Sequence, residues 1–352
     1  MMNPLTRGRW STRALLLASI GAVSAIALAG CSSSGTASSS PSGSGGTSSP
    51  TAKQLTIGFV VGASSDPFFV AMKQGASAEA SALGAKLIFQ GDATTYSPAT
   101  QIPILNQVLA QKPDGLALAP TDPSALQSEV AKAVAQGTAV VNVDSRVNDL
   151  SQAVSFITGD NTQGGAKAAD AIAAAIGYQS GKTYQVVAGL TSATASTNVA
   201  RLDGFKQQIA AKYPGIQLVA TGYSQSNPTT ANTNVNNWLT QYPNLAGIFA
   251  IDGTNAQGAA AALQAKGLVG KVALVGYDAY ATNVDLLKKG VFTALIAQNP
   301  VEEGKEAVDT LVKYIRSGNS KAGIQAAVTL PNIVLTKSTS SGDLAKYTYP
   351  QG

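Results

Sequence analysis

From residue 55 onward, short apolar runs rich in β-branched residues alternate with longer Ala-rich stretches whose apolar positions recur at helical spacing. The pattern predicts strands at 55–61, 86–90, 115–119 and 139–143, with helices at 67–83, 98–111 and 123–136 between them. A second series follows, with helices at 161–176, 196–212, 228–241 and 253–266 and strands at 184–188, 216–220, 247–251, 272–275 and 292–297. A long helix at 300–317 and a late apolar strand at 326–335 come last, and periodicity assigns neither to one series. The strands are apolar on both sides instead of alternating, so their sheets are covered on both faces, and strand–helix alternation calls for parallel pairing. The expected fold class is α/β: two similar doubly wound parallel-sheet lobes. Helix starts are well marked, because Asp66-Pro67, Asp122-Pro123 and Asn299-Pro300 each set a capping side chain before a first-turn proline. Asn299 and Glu302 have capping-box spacing.

The pattern is different before residue 55. Arg7, Arg9 and Arg13 precede an apolar run at 14–28, the length of a signal-peptide core and short of the roughly 20 residues that span a bilayer. The run ends Leu28-Ala29-Gly30-Cys31, which resembles the lipobox of bacterial lipoproteins, where the cysteine receives a diacylglyceryl group and becomes the new N-terminus. Residues 32–51 are nearly all Ser, Gly, Thr, Ala and Pro, a composition that buries nothing and acts as a flexible spacer. Residues 1–30 are therefore expected to be a lipoprotein signal peptide and 31–53 a linker. The folded part would work outside the cytoplasm, tied to the lipid bilayer through Cys31.

Composition excludes much. The net charge of +5 among 352 residues belongs largely to the leader: without its three arginines, 21 basic residues face 19 acidic ones. No Lys/Arg run offers the concentrated basic face of a nucleic-acid binder. There is no histidine, which removes the commonest general base and metal ligand, and the single cysteine rules out an internal disulfide. No cofactor or metal site is expected. Ser180-Gly181-Lys182-Thr183 lacks the earlier glycine of a phosphate loop and precedes a strand, so it reads as a loop. Gly159-Asp160-Asn161 with Gly164-Gly165 reads as a helix start with close packing, and Trp238, in helical register with Val235, as core.

In open parallel sheets ligands bind beyond the C-terminal strand ends. The polar and aromatic residues there are Asp66 with Phe68 and Phe69, Thr121-Asp122, Asp144-Ser145-Arg146, Asp252, Asp278 and Gln298. Carboxylates that accept from neighbouring hydroxyls, a forked arginine donor and aromatic faces for C–H surface are what a polyhydroxylated ring requires. Each residue also has a plainer reading: Asp66 as a helix cap, the phenylalanines as core, Asp144, Asp252 and Asp278 as turn residues, Gln298 as a hinge residue.

At these residues the sequence resembles the periplasmic ribose/galactose-type sugar-binding proteins, the type I fold of ABC-importer solute receptors. The stretches that carry it include IGFVVGASSDPFFVAMKQGA, VVNVDSR, TGDNTQGGAKAAD, ARLDGF, GIFAIDGTNAQGA, LVGYDAY and ALIAQNP, in order from about 55 to 335. The resemblance implies that Asp66, Phe68, Phe69, Asp144, Arg146, Arg201, Asp252, Asp278 and Gln298 line a ligand pocket. Arg201, in Arg201-Leu202-Asp203-Gly204-Phe205, otherwise pairs with Asp203 or faces solvent. Two departures stand out: Ala119 replaces a polar residue, and a third stacking aromatic is missing near Ser226, although Tyr223 is close. The resemblance further implies three chain crossings between lobes, lobe one holding 54–158 and 299–328, lobe two 159–298 and 329–340. The protein would capture a monosaccharide in the cleft by hinge closure, without catalysis, as a monomer, and deliver it to the membrane subunits of an ABC permease. The rival readings are a sensory receptor for a sugar-like signal, a secreted carbohydrate-active enzyme, and a repressor, whose DNA-binding helices the leader and linker replace.

Overall fold

The computed structural model describes residues 53–350. The expectations for the leader, Cys31 and the linker up to residue 52 lie outside the described residues. The first series builds β1 (Thr56–Ala63), α1 (Pro67–Ala82), β2 (Lys86–Asp92), α2 (Pro98–Leu109), β3 (Gly115–Leu118), α3 (Gln127–Ala135), β4 (Ala139–Val143) and β5 (Ser155–Gly159). The second builds α4 (Asn161–Ala175), β6 (Tyr184–Leu190), α5 (Ser196–Lys212), β7 (Ile216–Tyr223), α6 (Pro228–Gln241) and β8 (Leu245–Ala250), followed by α7 (Gly253–Ala265), β9 (Ala273–Tyr277), α8 (Ala281–Lys288) and β10 (Ala294–Ala297). Then come α9 (Pro300–Arg316), β11 (Ala327–Leu330), β12 (Ile333–Leu335) and α10 (Ser341–Tyr347).

These strands form two six-stranded sheets, in the orders β2-β1-β3-β4-β5-β11 and β7-β6-β8-β9-β10-β12. Every pairing is parallel except β10 with β12. Interior strands are buried on both faces. In the first sheet Ile57, Phe59 and Val61 of β1 pack with Met72 and Leu311, while Val60 packs with Leu105, Val108 and Leu118. In the second, Val186, Phe249, Val275 and Ile296 pack with Ile172, Phe205 and Ile209. The edge strands β2, β7 and β11 are only partly buried.

The chain passes between sheets three times: from β5 to α4, which packs on α5 and under β8–β10; from β10 to α9, which packs on α1 and β3–β5; and from β11 to β12. The run 326–335 is thus two strands, not one. Pro331 offers no N–H to a ladder, and the chain turns there into the other sheet. Thr329 and Leu330 pair with Thr158 and Gly159 of the first sheet, so the third crossing falls at 331–332 rather than 328–329. Regular helix at α3 begins at Gln127, because Asp122 caps a tight turn at Ser124 and Ala125 first. The short β5 and α8 and the terminal α10 went unforeseen. Trp238 and Val235 are core, as their spacing implied.

Candidate functional site

The C-terminal strand ends of both sheets meet at one narrow cleft, which encloses about 420 Å³, its open mouth included. It is lined by Asp66, Phe68, Phe69, Asp144, Arg201, Asp252, Asp278 and Gln298, eight of the nine expected residues. Arg146 is the exception. A spacing of two keeps side chains on one face only in extended chain, and Asp144 has φ 60°, which turns the backbone there. Ser145 then points inward to the Pro120 carbonyl at 2.8 Å, the Arg146 side chain is exposed, and only its backbone N–H engages the other lobe, donating to Ser196 Oγ at 3.0 Å.

Asp144 and Asp278 occupy equivalent places, each just past the fourth strand of its sheet and each in the left-handed region, at φ 60° and 69°. Asn and Asp tolerate this conformation better than other side chains. Each anchors to the next strand by its N–H, to the Ile157 and Ile296 carbonyls, both at 2.8 Å. Both carboxyls line the cleft.

Around them sits a ring of donors. Asp66 caps α1 through Phe68 N at 2.9 Å while also accepting from Tyr280 Oη and, at 3.4 Å, from Thr254 Oγ1 of the opposite lobe. Capping and cleft roles coincide. Asp252 caps α7 and accepts from Thr191 Oγ1 at 2.9 Å and Asn255 Nδ2 at 2.7 Å. Asp278 accepts from Gly253 N at 2.9 Å and Gln298 Nε2 at 2.7 Å. Arg201 bonds neither Asp203 nor water-exposed groups. Its guanidinium stacks 3.8 Å over Tyr277 and donates to Asn161 Oδ1, the Ile251 carbonyl and Gln298 Oε1 at 2.7, 3.0 and 2.9 Å. Its position follows from a tight helix crossing. A Cβ on Gly165 would stand 1.9 Å from the Arg201 carbonyl, and one on Gly204 2.0 Å from the Thr162 carbonyl, so α4 and α5 touch backbone to backbone.

The electrostatics are those of crowded acids with one cation, since Arg201 is the only basic residue of the lining. Burial pushes Asp66 up to about 7, with Asp278 and Asp252 adding to it against the pull of Tyr280 and Phe68 N. Burial likewise lifts Asp144 to about 7, Arg201 opposing and Asp278 and Asp66 reinforcing. Asp252 is raised by burial too, despite its hydrogen bonds. Among the described residues no donor reaches the Asp144 carboxylate. Asp144 lines the cleft, where a guest with several hydroxyls can supply the missing donors. Phe68 and Phe69, both buried, form an edge-to-face pair at 5.2 Å that supplies the apolar wall.

Tyr96, Thr191, Thr197, Asn198, Ser226 and Tyr280 also line the cleft and were not foreseen as site residues. Thr191 had a signal: β6 runs two residues past Ala188, which places Thr191 at its end. Tyr280 lies within the LVGYDAY stretch, two residues after Asp278. Tyr96 comes from the loop after β2 and has no local signal. Ser226 stands where an aromatic was sought, and Tyr223 is exposed. Among the described residues no group of acidic or sulfur ligands is arranged to hold a metal, and no helix is long and apolar enough to cross a membrane.

Two parallel-sheet lobes with converging strand ends, crossed three times and closing on a buried polar crevice, define a two-lobed solute-receptor fold. Residues 57–320 match the family model described as periplasmic binding protein domain, and the chain belongs to that family. It is 30% identical over 262 residues to the D-allose-binding periplasmic protein of Escherichia coli, covering 72% of this chain and 82% of that one. It is 29% identical over 278 residues to a ribose import binding protein of Bacillus subtilis, covering 79% and 87%. A solved ABC transporter solute-binding protein of Agrobacterium vitis, bound with α-D-tagatopyranose, superposes with TM-score 0.79 at 31% identity over 85% of this chain and all of that one. One of Agrobacterium radiobacter, in complex with D-arabinose, gives 0.78 at 29% identity over 84% and 98%.

Proposed function

We propose that this protein is the receptor of a sugar ABC importer: it captures a pentose- or hexose-class monosaccharide between its lobes and presents the closed form to the permease. The observation that carries the reading is the convergence of Asp66, Asp144, Asp252 and Asp278 from two sheets around one arginine, beside paired phenylalanines. Carboxylates are acceptors, Arg201 is a donor, and aromatic faces cover the C–H side of a ring; the combination suits neighbouring hydroxyls and rejects anions. Relatives named for ribose and allose, and neighbours holding tagatose and arabinose, support the same ligand class. Because the acids belong to different lobes, a ligand touching both favours closure. Moving the balance from 1:99 to 99:1 takes roughly 5.5 kcal/mol of differential binding, within reach of a few charge-assisted hydrogen bonds.

Titration calorimetry of the purified protein against pentoses, hexoses, inositols and nucleosides tests this. At least one monosaccharide should bind saturably and stabilise the fold, and none should be chemically altered. Silence across the sugars, or binding of nucleosides alone, refutes the reading. The rest of the reading is a monomer outside the cytoplasm held by acyl chains on Cys31; two or more chains give stable anchoring where one does not. Cys31→Ser should shift the protein from the membrane fraction to the soluble one.

A further inference from the structure

The family match ends at residue 320, yet the chain runs on through β11, β12 and α10 to a tail that returns to the cleft. There Tyr349 N donates to the Ala279 carbonyl at 2.9 Å, and the side chain is buried to 3% exposure. Its Oη donates to Asp278 Oδ1 at 2.9 Å and accepts from Gln298 N at 3.1 Å. Its ring lies 6.1 Å from Phe68 and 5.9 Å from Tyr280, centroid to centroid. The four residues that its side chain touches line the cleft, while Tyr349 itself sits behind them. Phe68 belongs to the first lobe, and Asp278 and Tyr280 to the second.

The consequence for Asp278 is geometric. Tyr349 and Gln298 Nε2 both hold Oδ1, and Gly253 N holds Oδ2. Donors on both oxygens fix the rotation of the carboxylate plane and leave its one remaining lone pair, on Oδ2, in a set direction. A fixed acceptor discriminates between hydroxyl epimers better than one free to turn, because the wrong epimer leaves a buried group unpaired. The Tyr349 hydroxyl is suited to this: burial and the neighbouring Asp278 hold it well above its ordinary titration range, so it stays a donor. The ring also backs Phe68, the apolar wall of the opposite lobe.

We propose that Tyr349 is a positioning residue of the ligand cleft, through which the C-terminal segment beyond the family's matched region sets which hydroxyl arrangement Asp278 accepts. The proposal rests on the sugar-receptor reading above for its ligand. Tyr349→Phe keeps the ring and removes the hydroxyl, and Tyr347→Phe on the same segment serves as the control. Affinities are measured for D-ribose, D-allose, D-arabinose and D-tagatose, in the parent and in an Asp278→Asn background. Amide hydrogen exchange at Gln298 is followed without sugar. Tyr349→Phe should weaken the best-bound sugar by about five- to tenfold, the effect of roughly one hydrogen bond, and narrow the spread among the four. In the Asp278→Asn background the same change should cost less than about twofold, as coupled groups require, and the Gln298 amide should exchange faster. Tyr347→Phe should change none of these. Unaltered affinities, or an equal loss for every sugar that persists with Asp278→Asn, overturn the proposal. If the parent binds none of the four, the receptor reading suffers and exchange alone decides: an unchanged Gln298 amide overturns the role of Tyr349.

Discussion

Replacing Asp144 by Asn should make the empty protein more stable and the receptor useless. The folded state raises this carboxyl from 3.8 to about 7, first through burial. A raised acid stabilises the fold only while protonated. Its contribution is complete below pH 4 and is lost as the pH rises toward 7, where the buried site holds a charge it disfavours. At 1.36 kcal/mol for each pKa unit, a shift of this size and direction costs on the order of a few kcal/mol at pH 8. Asn carries no charge, nearly matches the shape, and tolerates φ 60° as Asp does. Asp144→Asn should therefore melt higher than the parent at pH 8, by a margin that shrinks toward zero near pH 4. The ligand side moves the other way. Exchanging a charged acceptor that has no protein donor for a neutral amide should lower sugar affinity by roughly ten- to a hundredfold, the worth of a hydrogen bond to a charged group. Thermal melts across pH 4–8, with and without sugar, read both effects. A variant that is less stable than the parent at pH 8 and still gains the full stabilisation from sugar refutes the electrostatic account of the cleft.

Other substitutions separate the parts of the site. Arg146→Ala should leave affinity within about twofold and stability within about 0.5 kcal/mol, since its side chain is exposed; calorimetry showing a tenfold loss would return it to the pocket. Arg201→Lys replaces a fork held by Asn161, Ile251 and Gln298 with a single ammonium; affinity should drop at least tenfold and chemical denaturation should show a loss of about 2 kcal/mol. Gly204→Ala sets a methyl group 2.0 Å from the Thr162 carbonyl. The helices must part, at a cost of about 3 kcal/mol, and Arg201, one helical turn earlier, should lose sugar affinity with them.

Much of this molecule was legible because strand ends are. Once apolar runs such as 247–251 were read as strands, the residue that follows each became a candidate, and Asp252 and Asp278 do lie at the cleft. Local sequence failed where conformation departs from its average. Asp144 and Arg146 share a face only if the chain between them is extended, and the left-handed turn at 144 separates them. β5 was missed because Ser155 and Thr158 dilute a five-residue strand whose existence depends on β4 and β11 beside it. Tyr96 reaches the cleft from a loop and Tyr349 backs its lining from a tail, by contacts no periodicity encodes. Gly164-Gly165 at the start of α4 reads as close packing from sequence, but the Arg201 backbone that Gly165 meets, and the matching Gly204 of α5, emerge only in three dimensions.

The glycine crossing has a counterpart. A Cβ on Gly75 would stand 1.9 Å from the Val301 carbonyl, and one on Gly304 2.1 Å from the Met72 carbonyl, so α9 is seated on α1 as tightly as α5 on α4. These are the two helices that begin directly after a crossing, α4 following β5 and α9 following β10. Each is bolted to its own half within its first turn or two. Bending therefore has nowhere to dissipate along the helices and must concentrate in the one or two residues of each connection. On the proposed receptor reading, a hinge with so little slack should act as a snap fastener: a guest would either draw both jaws fully shut or leave them apart, and the permease would be offered two clearly different silhouettes.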